Sequence, residues 1–95
     1  MKYTAHQLKA LTVIPGVGNS IASDLLNIGI THPSELIGKD PEQLYHLSNA
    51  FAGCVQDRCL LYVFRCAVYF AETANAEQDR ELLKWWNWKD SYSKG

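Results

Sequence analysis

Leu11-Thr12-Val13-Ile14-Pro15-Gly16-Val17-Gly18-Asn19-Ser20-Ile21-Ala22 is the stretch on which the fold turns. Upstream of it, Tyr3-Thr4-Ala5-His6-Gln7-Leu8 reads as a helix start. Thr4 caps, Gln7 stands three residues on to close a capping box, and Tyr3 staples to Leu8. Leu8 and Leu11 form the apolar side of that short helix. It ends at Val13-Ile14-Pro15, because the residue before a proline avoids the helical region. Downstream, Asn19 or Ser20 opens a second helix with Ile21, Leu25 and Ile28 at i, i+4 and i+7, and Gly29 stops it as a left-handed cap. Between the two helices, Gly16 and Gly18 flank one apolar residue, so the backbone turns tightly and a ligand can approach with no Cβ in the way. The next amides belong to a helix N-terminus, where unpaired N–H groups and the dipole favour an anion. Ile14 and Val17 point inward in this reading and lock the helices together. The expectation is a small phosphate cradle on an apolar anchor.

The string from Leu11 to Gly29 resembles the helix-hairpin-helix motif, in which such a hairpin grips nucleic-acid backbone without reading sequence. By that resemblance, Pro15, Gly16, Val17, Gly18, Asn19 and Ser20 form the contact, with the amides of Val17 to Ser20 facing the phosphate and Lys9 assisting. Many DNA-binding members carry Lys or Arg just after the second glycine, whereas Asn19 and Ser20 stand there in this chain. They can hydrogen-bond a phosphate but release no counterion. The alternative reading is a hairpin that serves only as a rigid helix–helix turn or as a protein-docking surface.

The remaining chain continues in helices. Pro33 begins a one-turn helix ending at Gly38. Asp40-Pro41-Glu42-Gln43 is a capped start with proline at the first helical position, followed by Leu44, Leu47 and Phe51 and a stop near Gly53. Residues 55–73 read as the longest helix, apolar almost all round and therefore the buried centre of a bundle. Asn75 and Gln78 suggest another capped start ahead of Leu82, Leu83, Trp85 and Trp86. Residues 91–95 read as a frayed tail behind a single domain over residues 1–90.

Four strings together resemble the bacterial "pathogenicity locus" helix-hairpin-helix family, also labelled mitomycin-resistance-like. They are Leu11–Gly29, Asp40–Tyr45, Asp57–Phe70 and Leu83–Asp90. The chain also resembles the helix-hairpin-helix domain at the C-terminus of bacterial competence regulators. The implied fold is all-α: a compact, SAM-like helix-hairpin-helix bundle of about five or six helices. In duplicated hairpins of this type, helix 41–51, the Gly53 turn and helix 55–73 would form a degenerate second hairpin. That turn, Ala52-Gly53-Cys54-Val55, lacks paired glycines, so no phosphate is expected there.

Composition narrows the function. The chain has 95 residues, 47% of them apolar, enough to bury roughly 64% of the unfolded surface in one core. That excludes a disordered chain and a two-domain enzyme with a cleft between domains. Net charge is −1, whereas tight nucleic-acid binders are usually basic. The charge is unevenly spread: residues 1–23 hold Lys2 and Lys9 with no acid, residues 24–79 are acidic, and residues 80–95 are mildly basic. Cys54, Cys59 and Cys66 are an odd number. No signal peptide is evident, and the apolar run Cys59–Ala71 is broken by Arg65 and too short to span a bilayer. A soluble, cytoplasmic protein with reduced thiols is expected.

Other constellations are weaker. Arg58, Tyr62, Arg65 and Tyr69 fall on one helical stripe. Two guanidiniums between tyrosines could grip phosphate, or could pair with the acidic middle at Asp40, Glu42 or Asp57, and the pairing is the favoured reading. Cys59 and Cys66 line the neighbouring apolar stripe. The Cys-x4-Cys-x6-Cys spacing lacks a zinc knuckle, so no metal and no cofactor are expected. Trp85, Trp86 and Trp88, with Arg58 and Arg65, form a candidate partner surface, because tryptophan is enriched at interface hot spots. At least one indole is expected outside the core. His6, His32 and His46 have no catalytic context, and the Gly-Pro-Asp segment of helix-hairpin-helix glycosylases is missing, so an enzyme is not expected. The leading expectation is a weak, sequence-indifferent binder of nucleic-acid backbone linked to DNA repair or stress. The alternative is a protein–protein adaptor or homo-oligomer with a structural hairpin and a Trp-rich surface.

Overall fold

Four α-helices and four short 3-10 turns, with no strand, make up residues 3–89, the residues described in a computed structural model. Helix α1 spans Ala5–Thr12, α2 Asn19–Asn27, α3 Pro41–Ala52 and α4 Cys59–Glu72. The 3-10 turns are Pro33–Leu36, Asn75–Glu77, Arg80–Leu83 and Trp85–Trp88. The described residues are therefore all-α, with four α-helices where about five or six helices were expected. The tail expected over residues 91–95 lies outside the described residues, as does the last residue of the expected domain, Asp90.

The local signals act where the sequence puts them. Thr4 and Gln7 form a reciprocal capping box on α1. The Tyr3 hydroxyl donates to Asn27 Oδ1 at 2.6 Å, which ties the start of α1 to the end of α2. Gly29, at φ +92°, lets the chain leave α2. The Asp40 carboxylate accepts the Glu42 N–H at 3.0 Å, and Pro41 occupies the first turn of α3.

Helix α4 is the centre of the molecule. Leu61, Phe64, Cys66 and Ala67 are fully buried, and Leu60, Val63 and Val68 nearly so. The other elements pack around it: Leu8 and Leu11 from α1, Ala22 and Leu25 from α2, Leu36, and Leu44 and Tyr45 from α3 all join one core cluster. Helix α4 starts later than the expected residue 55, because other groups hold the preceding backbone. Gln56 N–H donates to Asn49 Oδ1 at 2.9 Å, the Tyr45 hydroxyl donates to the Gln56 carbonyl at 2.6 Å, and Asp57 accepts the Cys59 N–H at 2.8 Å. These bonds fasten the end of α3 to the start of α4 without a paired-glycine loop.

The segment expected as a capped helix after Asn75 instead breaks into three 3-10 turns that fold back along α4. The Gln78 amide donates to the carbonyls of Phe70 and Thr73, and Asp79 N–H donates to the Tyr69 hydroxyl at 2.7 Å. Groups that would have started an α-helix are thus engaged with the end of α4. A 3-10 turn also brings residues three apart onto one edge. Trp85 and Trp88 are both half-buried, while Trp86 is 48% exposed.

Candidate functional site

The hairpin between α1 and α2 is built from two successive tight turns. Ile14 N–H donates to the Leu11 carbonyl at 3.1 Å and Val17 N–H to the Ile14 carbonyl at 3.0 Å. Ile14 and Val17 are 1% and 5% exposed, so the apolar anchor forms as expected. Gly16 takes φ +85°, a region that side-chain-bearing residues rarely adopt. Pro15 is half-buried between them; Gly16, Gly18, Asn19 and Ser20 face solvent.

One of the four expected donors is not available. The Val17 amide is engaged by Ile14 within the turn. The N–H groups of Gly18, Asn19 and Ser20 remain as the orphan donors of a helix start. Gly18 is the N-cap residue of α2, and no side chain caps that helix. The Gly18 φ of −93° is one any residue adopts, and a Cβ there would meet nothing within 4 Å. Serine or aspartate at this N-cap would stabilise the helix by only about a few tenths of a kcal/mol over glycine. The fold itself therefore gives no steric reason for glycine at 18. A glycine there keeps the three donors uncovered.

Charge at the hairpin is sparse. Lys9 is exposed on the last turn of α1 and is the only Lys or Arg among residues 3–23. The hairpin is instead buttressed by Trp85, which the sequence placed in a separate surface. A Cβ on Gly16 would lie 3.0 Å from Trp85 Cδ1, so the indole is seated directly against the loop.

The remaining candidates divide. Arg65 is drawn into the structure: it donates to the Trp88 carbonyl at 2.7 Å and to Glu42 Oε2 at 3.2 Å, and it lies over the Tyr62 ring at 5.6 Å. The pairing with the acidic middle thus falls on Glu42. Arg58 is exposed and lies 6.0 Å from the Tyr45 ring centroid. Trp88 donates its indole N–H to the Leu82 carbonyl at 2.8 Å and packs on Tyr69 at 5.7 Å. Trp86 meets Trp85 edge to face at 5.7 Å and is the exposed indole. Of the candidate partner surface, Trp86 and Arg58 are exposed, whereas Trp85, Trp88 and Arg65 are half-buried and engaged within the fold.

The cysteines also divide. Cys66 is buried, its thiol directed at the Leu82 carbonyl at 3.5 Å, and burial pushes its pKa up to about 11. Cys59 was expected on an apolar stripe but is exposed at the first turn of α4, where hydrogen bonding to Asp57 holds its pKa above the ordinary value. Cys54 is exposed. No cluster of three or more His, Cys, Asp or Glu side chains able to hold a metal occurs among the described residues. No described helix is long and apolar enough to cross a membrane.

A cleft of about 360 Å³ opens beside the hairpin, lined by Gly16, by Ile21 and Asp24 of α2, by Gln56, Asp57 and Cys59, and by Trp85. Sequence reasoning missed it, because its walls come from three distant stretches. The one available signal was Asp24, which stands three residues after Ile21 and is the only charged residue of α2. Burial raises its carboxyl above the usual range.

A family model described as "pathogenicity locus" matches residues 4–94. The mitomycin resistance protein McrB of Streptomyces lavendulae is 36% identical over 78 residues, which cover 82% of this chain and 69% of that protein. No solved structure matches the chain.

Proposed function

The chain belongs to the pathogenicity locus family, and we propose that it is a helix-hairpin-helix module that binds nucleic-acid backbone weakly and without sequence preference. The observation that carries this reading is Gly18. The position needs no glycine for its backbone or its surroundings, yet it leaves an uncapped helix start open to solvent. The orphan N–H groups of Gly18, Asn19 and Ser20 then receive one phosphate, Gly16 and Pro15 shape the turn, and Ile14 and Val17 hold it to the core. Lys9 adds the nearby positive charge in sequence. Contacts of this kind position a backbone and carry no base information. In this reading α3 and α4 form the degenerate second hairpin, whose turn is sealed by Gln56 and takes no phosphate. The protein acts as a binder rather than an enzyme, without metal or cofactor, in the cytoplasm. A relative named for resistance suits a stress-linked role.

Exposed apolar side chains support a second reading, the adaptor or homo-oligomer with a structural hairpin. Trp86, Val13, Leu47 and Phe51 are each about half exposed or more. The two readings separate on Gly18→Asp. An aspartate at this N-cap accepts the helix-start N–H groups itself, so it stabilises α2 while filling the anion position. Fluorescence anisotropy with labelled single-stranded and duplex DNA should show binding lost in a protein that melts no lower than the wild type. Unchanged DNA affinity in Gly18→Asp would support the adaptor.

A further inference from the structure

The cleft beside the hairpin has a lining unsuited to a phosphate. Much of its lining is apolar, supplied by Ile21, Leu60, Val63 and the Trp85 indole. Its charged lining residues are both carboxylates, Asp24 and Asp57; no Lys or Arg lines it, although the Lys89 charge reaches Cys59 at its edge. Asp57 is engaged by the Cys59 N–H at 2.8 Å, which holds its carboxyl below the usual range. Asp24 is different. It is half-buried at the cleft wall and accepts a hydrogen bond from no described residue, and burial pushes its carboxyl above the usual range. A cavity of this size with a largely apolar lining and few polar groups has the general character of a small-ligand site.

We propose that this cleft binds an organic cation, a primary ammonium or guanidinium carried on a short apolar stem. The charged head sits between the Asp24 carboxylate and the Trp85 ring, and the stem lies on Ile21, Leu60 and Val63. Charge complementarity selects this occupant. Two carboxylates repel a phosphate or an acid, whereas a cation supplies the partner that Asp24 lacks. An indole in the lining adds attraction for a cation that it does not offer an anion. Gly16 borders both sites, but the other lining residues and the ligand differ from those of the nucleic-acid reading, so the site stands whether or not the hairpin binds DNA.

Amide chemical shifts of the full chain, followed during titration with butylammonium chloride against a sodium chloride control, test this directly. Saturable shifts are expected at Gly16, Ile21, Asp24, Gln56 and Cys59. The neutral isostere 1-butanol should bind at least about tenfold more weakly, because it lacks the charge-assisted bond. Asp24→Asn should weaken butylammonium by about tenfold while leaving the spectrum dispersed, since no described hydrogen bond is lost. N-acetyl-lysine methylamide identifies the source of the cation. Binding as tight as butylammonium assigns the site to a partner protein's basic side chain, and binding about tenfold weaker assigns it to a free small amine. Equal affinity for butylammonium and butanol in the wild-type protein overturns the proposal without reference to any variant. So does an Asp24→Asn protein that binds butylammonium unchanged, or the absence of a saturable shift.

Discussion

Gly16 and Gly18 look equivalent in sequence and do different work in the structure. Gly16 holds a positive φ and lies against Trp85, so a methyl group there meets both backbone strain and the indole. Gly16→Ala should destabilise the protein by about 1–3 kcal/mol. Gly18→Ala meets open space at an ordinary φ, and its stability should stay within about 0.5 kcal/mol of wild type, the small loss of N-cap quality being offset by the stiffer unfolded chain. Urea unfolding of the two variants checks the contrast, and equal losses would remove the case that Gly18 is free of folding constraint. Cys66 offers a second residue-scale test. Its folded pKa of about 11 lies above the ordinary 9.0, so the native state holds the proton more tightly than the unfolded one. The thiol's contribution is therefore complete below pH 9 and is lost as pH rises towards 11. Near pH 10.5 the wild type should have lost about 2 kcal/mol more than Cys66→Ala, relative to pH 8. Parallel pH dependence in the two proteins would place the thiol in water.

At the scale of elements, the C-terminal strap of 3-10 turns decides how the hairpin is held. Trp85 braces the loop, Trp88 is fixed by the Leu82 carbonyl and Tyr69, and Arg65 pins the Trp88 carbonyl while bridging to Glu42 on α3. Trp85→Ala and Trp88→Ala should each cost about 2–4 kcal/mol, a little below the loss for a fully buried aromatic. Trp86→Ala should cost under about 1 kcal/mol, because its indole is largely outside the core. Thermal unfolding of the three variants gives the order, and a Trp86→Ala loss as large as that of Trp85→Ala would contradict the packing. Much of this architecture was legible in the sequence. The Thr4–Gln7 box, the Asp40-Pro41 start, the stops at Gly29 and Gly53, and the inward Ile14 and Val17 all rest on local chemistry, and local chemistry is what a sequence displays. The strap was not legible, because its conformation follows from partners on α4: Tyr69 takes the Asp79 N–H, and Gln78 turns back to cap the end of α4. The same holds at the site. The hairpin residues could be read from their glycines, whereas the Trp85 contact and the cleft at Asp24 depend on how distant stretches pack. The engaged Val17 amide was hidden for a related reason: a Gly-x-Gly pattern does not show which of its amides closes the turn.

For the whole molecule, charge sets the strength of the proposed binding. The chain carries a net −1 and an acidic middle, and the hairpin holds three uncovered amides with Lys9 as the only Lys or Arg among residues 3–23. About one or two phosphates would be neutralised, which implies a shallow dependence on salt, with log K falling against log salt at a slope of about −1 to −2 for duplex DNA. Asn19 is exposed on the first turn of α2, so Asn19→Lys should fold normally, tighten binding and steepen that slope by about one unit. Fluorescence anisotropy of the wild type and Asn19→Lys on one labelled duplex, across a series of salt concentrations, tests the hairpin as the contact most directly. The expected result is weak wild-type binding, micromolar or weaker, with the shallow slope and a steeper, tighter line for the lysine variant. Superimposable lines for two folded proteins, or no binding by either at low salt, would contradict it.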